Sequence, residues 1–123
     1  MNKTQALHEF YSSFGIKAYE ENSVPDEVKT GDMPYITYEA ITSSFDVQNV
    51  ALSCQIFSKS NSMTTINAIT EKIAEVLRGG AKLQCDSGWI VLYQGVPFAQ
   101  SRITEDKTVK AKYINITADY ITL

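Results

Sequence analysis

Trp89-Ile90-Val91-Leu92-Tyr93-Gln94, a break at Gly95-Val96-Pro97, and then Phe98-Ala99-Gln100-Ser101-Arg102-Ile103 form the stretch on which the fold turns. Both flanks are rich in β-branched and aromatic residues, which fit a pleated, half-buried surface. Proline carries no N–H donor and is confined to edges and bulges of a sheet, so the break predicts a bend in a strand. A polar turn, Thr104-Glu105-Asp106-Lys107-Thr108, follows and leads into a run from Val109 to Ile121. In that run Ile114, Ile116, Ala118 and Tyr120 fall on one side, and Tyr113, Asn115, Thr117 and Asp119 on the other. Such alternation predicts a strand with one buried face. No nucleophile elbow, phosphate loop or metal cluster interrupts the segment, whose sequence is spent on building a sheet.

Working outward, residues 62–78 predict the clearest helix. Met63, Ile66, Ile69, Ile73, Val76 and Leu77 form an apolar stripe, with Asn67, Glu71, Lys72, Glu75 and Arg78 largely off it. Asn61 or Ser62 can cap its start, and Gly79-Gly80 supplies a left-handed exit. Ala81–Cys85 then reaches a turn signal at Asp86-Ser87-Gly88. Upstream, Tyr35–Thr42 and Val50–Phe57 read as strands paired in an antiparallel hairpin, with Val50, Leu52, Cys54 and Ile56 sharing a face and Tyr35 and Tyr38 on opposite faces. Residues 3–14 place Ala6, Leu7, Phe10, Tyr11 and Phe14 on one helical stripe before Gly15. A short strand fits residues 16–20. The polar segment 21–33 is expected to be a long surface loop, mobile at Asp26, Glu27, Lys29 and Asp32. The order is α-β-β-β-α-β-β-β, which predicts an α+β fold: a single-domain α/β sandwich with a mainly antiparallel sheet and two helices packed on one face.

A chain of 123 residues is one domain's worth, enough to bury a core without disulfides or metals. The formal net charge of −3 argues against a broad basic surface, and with it against specific nucleic-acid binding. The N-terminus lacks the apolar core of a secretory signal, and no run approaches the ~18 apolar residues of a membrane span. Cys54 and Cys85 are expected to be buried reduced thiols, a disulfide being the alternative, and the cytoplasm is the natural compartment.

His8, the one histidine, is expected at a helix rim and not as a catalytic base. Together with the two cysteines it matches no common zinc spacing. Asp26, Glu27, Glu105 and Asp106 lie in expected loops, where adjacent acids are ordinarily solvated. Seven tyrosines suit interfaces, where the ring packs and the hydroxyl stays wet, although core and rim positions use them equally.

Several landmarks then follow in order: Met33-Pro34-Tyr35-Ile36-Thr37-Tyr38, the helix ending in Gly79-Gly80, Cys85-Asp86-Ser87-Gly88-Trp89-Ile90, Gly95-Val96-Pro97-Phe98-Ala99-Gln100, and Lys112-Tyr113-Ile114-Asn115-Ile116. Together they resemble the tail terminator (tail completion) proteins of siphovirus-type phages of Gram-positive bacteria, over about residues 24–121. The resemblance implies a lambda-type tail terminator fold and a structural role: a hexameric ring that caps the tail tube, ends its elongation and joins the tail to the head connector. It implies no enzymatic activity and no cofactor. The implied partners are further copies of the chain, the tail tube protein and a head-completion or connector protein, with DNA passing through the ring and no membrane contact. The implied location is the virion's head-tail junction, after assembly in the host cytoplasm. A head-closure or other head-tail connector component is the nearest alternative, and a small α+β ligand-binding or enzymatic domain the more distant one.

From the residue pattern itself, the bent hairpin 95–112 is the expected subunit or connector contact. Pro97 interrupts the ladder donors, Phe98 is a large apolar group beside the break, Arg102 adds a cation, and Glu105, Asp106 and Lys107 place both signs of charge at the tip.

Overall fold

A computed structural model describes residues 1–25, 33–39, 41–60 and 62–122. The expected mobile positions Asp26, Glu27, Lys29 and Asp32 lie outside the described residues. In chain order the elements are α1 (Lys3–Tyr11), β1 (Lys17–Glu20), β2 (Tyr35–Tyr38), β3 (Val47–Lys59), α2 (Thr64–Leu77), β4 (Ala81–Cys85), β5 (Gly88–Arg102) and β6 (Val109–Thr122). One-turn 3-10 helices follow α1 at Ser12–Phe14 and β1 at Glu21–Ser23. The six strands form one sheet in the order β1-β2-β3-β6-β5-β4. Among the described residues only β1 and β2 run parallel, and every other neighbouring pair is antiparallel. The structure has the expected α+β class, and its described residues follow the expected order of helices and strands.

Each helix starts and stops for a local reason. Asn2 caps α1 by accepting from the Gln5 N–H at 2.8 Å, while the Gln5 side chain accepts from the Asn2 N–H at 2.9 Å. Gly15 ends the 3-10 turn that follows α1, at φ 84°, a left-handed conformation that costs glycine little. The cap of α2 differs from expectation. Met63 takes the cap position without a side-chain bond, and the Ser62 hydroxyl instead accepts from the Thr64 N–H at 3.1 Å. Asn61 lies outside the described residues.

Both helices bury their apolar stripes on one face of the sheet. Leu7, Phe10 and Tyr11 of α1 and Ile66, Ile69, Ile73 and Leu77 of α2 share a core with Leu52, Cys54, Ile56, Ile90, Leu92, Ile114, Ile116, Ala118 and Tyr120 of the central strands. Val76 does not belong to that stripe, as its side chain is 47% exposed. Thr70 occupies a buried place instead, its hydroxyl donating to the Ile66 carbonyl at 2.8 Å. Between Ile73 and Leu77 the helix steps four residues, and Val76 points one step off the seam. The β2 ladder is also shorter than expected, ending at Tyr38.

The sheet's other face is not bare near β1 and β2. Tyr35 packs against Tyr19 and stacks on Phe57 with ring centroids 5.2 Å apart, and it is buried. Tyr38 points the opposite way and stacks on Tyr11 at 4.6 Å, so the two tyrosines do sit on opposite faces.

Candidate functional site

The β5–β6 ribbon carries the expected contact residues, and its geometry comes from the Gly95-Val96-Pro97 break. Gln94 pairs with Ile116, and the next paired residue, Ala99, faces Ile114. Five steps along β5 therefore match two along β6, leaving three extra residues as an enlarged bulge. Gly95 is needed at its start, because a Cβ there would lie 2.8 Å from the Asn115 carbonyl carbon and oxygen. The Asn115 amide spans the bulge, donating to the Pro97 carbonyl at 2.9 Å. Pro97 thus sits where a ladder donor is not needed, and β5 resumes beyond it to Arg102.

One side of this ribbon is an edge. The partner β4 pairs with β5 only from Gly88 to Leu92, so among the described residues the stretch 94–102 has β6 on one side and no strand on the other. A bulge and a proline on such an edge discourage indiscriminate strand pairing while leaving side chains free to make contacts.

The expected contact residues divide into three groups. Phe98 is half-buried against the helix-covered core, so it anchors the ribbon rather than projecting from it. Arg102 is exposed on the opposite face, donating to the Gln55 Oε1 at 2.9 Å and lying within 6 Å of the Phe57 and Tyr113 ring centres. Glu105, Asp106 and Lys107 lie exposed at the tip. Asp106 is committed to the turn. Its carboxylate accepts from the Thr108 N–H at 2.8 Å and hydroxyl at 2.7 Å, and these bonds hold its pKa below the ordinary carboxylate value. Glu105 makes no hydrogen bond or ion pair among the described residues.

Two residues not singled out from the sequence are the most conspicuous on this ribbon. Val96, at the crest of the bulge, is 99% exposed, and Ile103, just past the end of β5, is 97% exposed. Their signal was present in the chain: each is a branched aliphatic beside a break in the alternation. Periodicity could not separate an apolar residue turned inward by a bulge from one turned outward.

The remaining candidates hold no comparable arrangement. His8 lies at the rim as expected, its Nδ1 2.8 Å from the Tyr38 hydroxyl. Cys54 and Cys85 are free, buried thiols, and burial pushes the Cys54 thiol up to about 12. Among the described residues no cluster of three or more His, Cys, Asp or Glu side chains could hold a metal ion. No helix of the described residues is long and apolar enough to cross a membrane. Neither a scan against protein-family models nor a search of curated proteins returns a match for the chain.

Proposed function

We propose that this protein is a structural component of a phage tail, a tail terminator whose copies assemble into a ring at the head-tail junction. In this reading the ring caps the tail tube, ends its elongation and receives the head connector. The observation that carries the proposal is the pair of almost fully exposed aliphatics, Val96 and Ile103, on a ribbon whose tip also bears free charge. Lone exposed aliphatics are ordinary on protein surfaces. Here Val96 stands on a stretch of β5 with no strand beside it among the described residues and Ile103 just past that strand's end, next to the charged tip, and apolar groups bordered by charge suit an interface with a hydrophobic centre and a polar rim. The sequence resemblance over about residues 24–121 supplies the identity of the assembly, and the ribbon supplies a surface on which it could form.

Native mass spectrometry of the full chain, across a concentration series, tests the reading. The expected outcome is a hexamer, and cryo-EM of the particle's head-tail junction is expected to place the chain there. A chain that remains monomeric while retaining a small metabolite would overturn the assembly role in favour of a ligand-binding domain. A ring located on the head side of the junction would reassign it to the connector.

A further inference from the structure

Resting on the ring reading, we propose that the Ile103 tip of one copy seats in an apolar cleft on the next copy, formed by Trp89, Val91 and Ile121 with Lys82 along its wall. The cleft is an open depression of about 270 Å³ on the sheet face opposite the helices. Trp89 and Val91 stand on β5, Ile121 opposite Trp89 on β6, and Lys82 opposite Val91 on the edge strand β4. Ile121 is 41% exposed, so apolar surface there remains in contact with water.

The occupant is read from the chain's own chemistry. The cleft is lined by apolar side chains and has one cation on its wall, Lys82, which makes no ion pair among the described residues, while the Asp119 carboxylate opposite Val91 accepts from the Asn49 N–H at 2.9 Å. The tip presents an aliphatic, Ile103, and two residues further on an exposed carboxylate, Glu105, which has no partner among the described residues. Knob and cleft are therefore complementary in both apolarity and charge. They cannot meet within one molecule. Val91 pairs with Asp119 and Arg102, the residue before Ile103, pairs with Ala111, eight steps along the extended β6, so roughly 26 Å separates the cleft from the tip. A knob at one end and its receptor at the other make a head-to-tail contact, the kind that closes into a ring when the rotation between copies allows it.

Cysteine cross-linking of the full chain tests the contact, because Cys54 and Cys85 are buried and leave the introduced thiols as the reactive ones. Ile103→Cys and Ile121→Cys chains, mixed and treated with a short bismaleimide, are expected to yield a covalent dimer that neither yields alone. A single chain carrying both substitutions is expected to give a ladder of products up to the closed ring. Ile103→Glu, with its circular dichroism unchanged, is expected to lower the fraction of assembled protein at least tenfold. Rings that form without the mixed cross-link overturn this contact and leave the ring reading standing. Products that stop at the dimer in the doubly substituted chain also overturn the contact, since they indicate a two-fold arrangement. A protein that stays monomeric at every concentration overturns both.

Discussion

The two faces of β6 differ sharply in burial. Ile114, Ile116, Ala118 and Tyr120 point at the helices and are each no more than 1% exposed, whereas Tyr113 and Ile121, their neighbours on the same strand, are 38% and 41% exposed. One face holds the fold together, and the other keeps apolar surface available. The difference comes from the helices. Ridges of Ile66, Ile69, Ile73 and Leu77 seal one side, while on the other side the described residues include an aromatic group of Tyr19, Tyr35 and Phe57 toward one margin. Cohesion and recognition are thereby separated within strands whose residues alternate between them.

Ile73→Ala tests the sealed face most severely. Truncating a fully buried isoleucine costs roughly 2–5 kcal/mol, from lost transfer energy and an unfilled cavity. Thermal unfolding is expected to show a large drop, whereas Val76→Ala, one step off the seam, is expected to stay within about 0.5 kcal/mol of the parent. Equal losses in both variants would mean that the helix is rotated from the arrangement described.

Tyr11→Phe probes the same face from the polar side. Its hydroxyl is buried without a hydrogen-bond partner among the described residues, and burial raises its pKa well above that of a free tyrosine. An unsatisfied buried hydroxyl costs about 1–3 kcal/mol. Removing it while keeping the ring stacked on Tyr38 is therefore expected to raise the denaturation midpoint, and a clear loss of stability would reveal a partner for that hydroxyl.

On the open side, Glu105→Lys is expected to leave the unfolding midpoint within about 0.5 kcal/mol of the parent, as surface substitutions usually do. It is nonetheless expected to weaken assembly, read by the oligomer fraction in native mass spectrometry. Asp106 is the poorer choice for such a test because its carboxylate also holds the turn through Thr108. Unchanged assembly by the Glu105 variant would remove the tip charge from the contact.

The smallest effect concerns acid. Asp46 accepts from the Thr122 N–H at 3.2 Å and its hydroxyl at 2.7 Å, and these bonds lower its pKa from the ordinary 3.8. A carboxyl with a depressed folded pKa contributes stability above its unfolded value and loses it as pH falls through the folded one. Stability is thus expected to decline below about pH 3.8, with a shallower acid limb in Asp46→Asn, as followed by denaturant midpoints across pH. Asp46 and Thr122 are 76 positions apart in the chain, so the bond reports the folded sheet and not a local turn.

The bulge shows where legibility ended. Gly95-Val96-Pro97 announces a disruption, because proline cannot donate and a strand cannot ignore it. The number of residues it absorbs depends on how closely Asn115 approaches Gly95, a contact between distant parts of the chain. Phe98 was expected at a subunit or connector contact, and next to the bulge it lies half-buried against the core together with Ala99. Val96 stands exposed within the bulge, and Ile103 stands exposed just past the end of β5.

By itself the amino-acid sequence determined the elements and their inward faces. Alternation in Val109–Ile121, the helical stripe ending at Gly79-Gly80 and the turn at Asp86-Ser87 are local patterns, imposed by backbone geometry at periods of two and about 3.6 residues. Tertiary structure alone decided the strand order β1-β2-β3-β6-β5-β4, the parallel pairing of β1 with β2, the burial of Tyr35, the free edge of β5 and the cleft beside Ile121. Each depends on which distant segments meet, and exposure is a property of what covers a residue rather than of the residue itself.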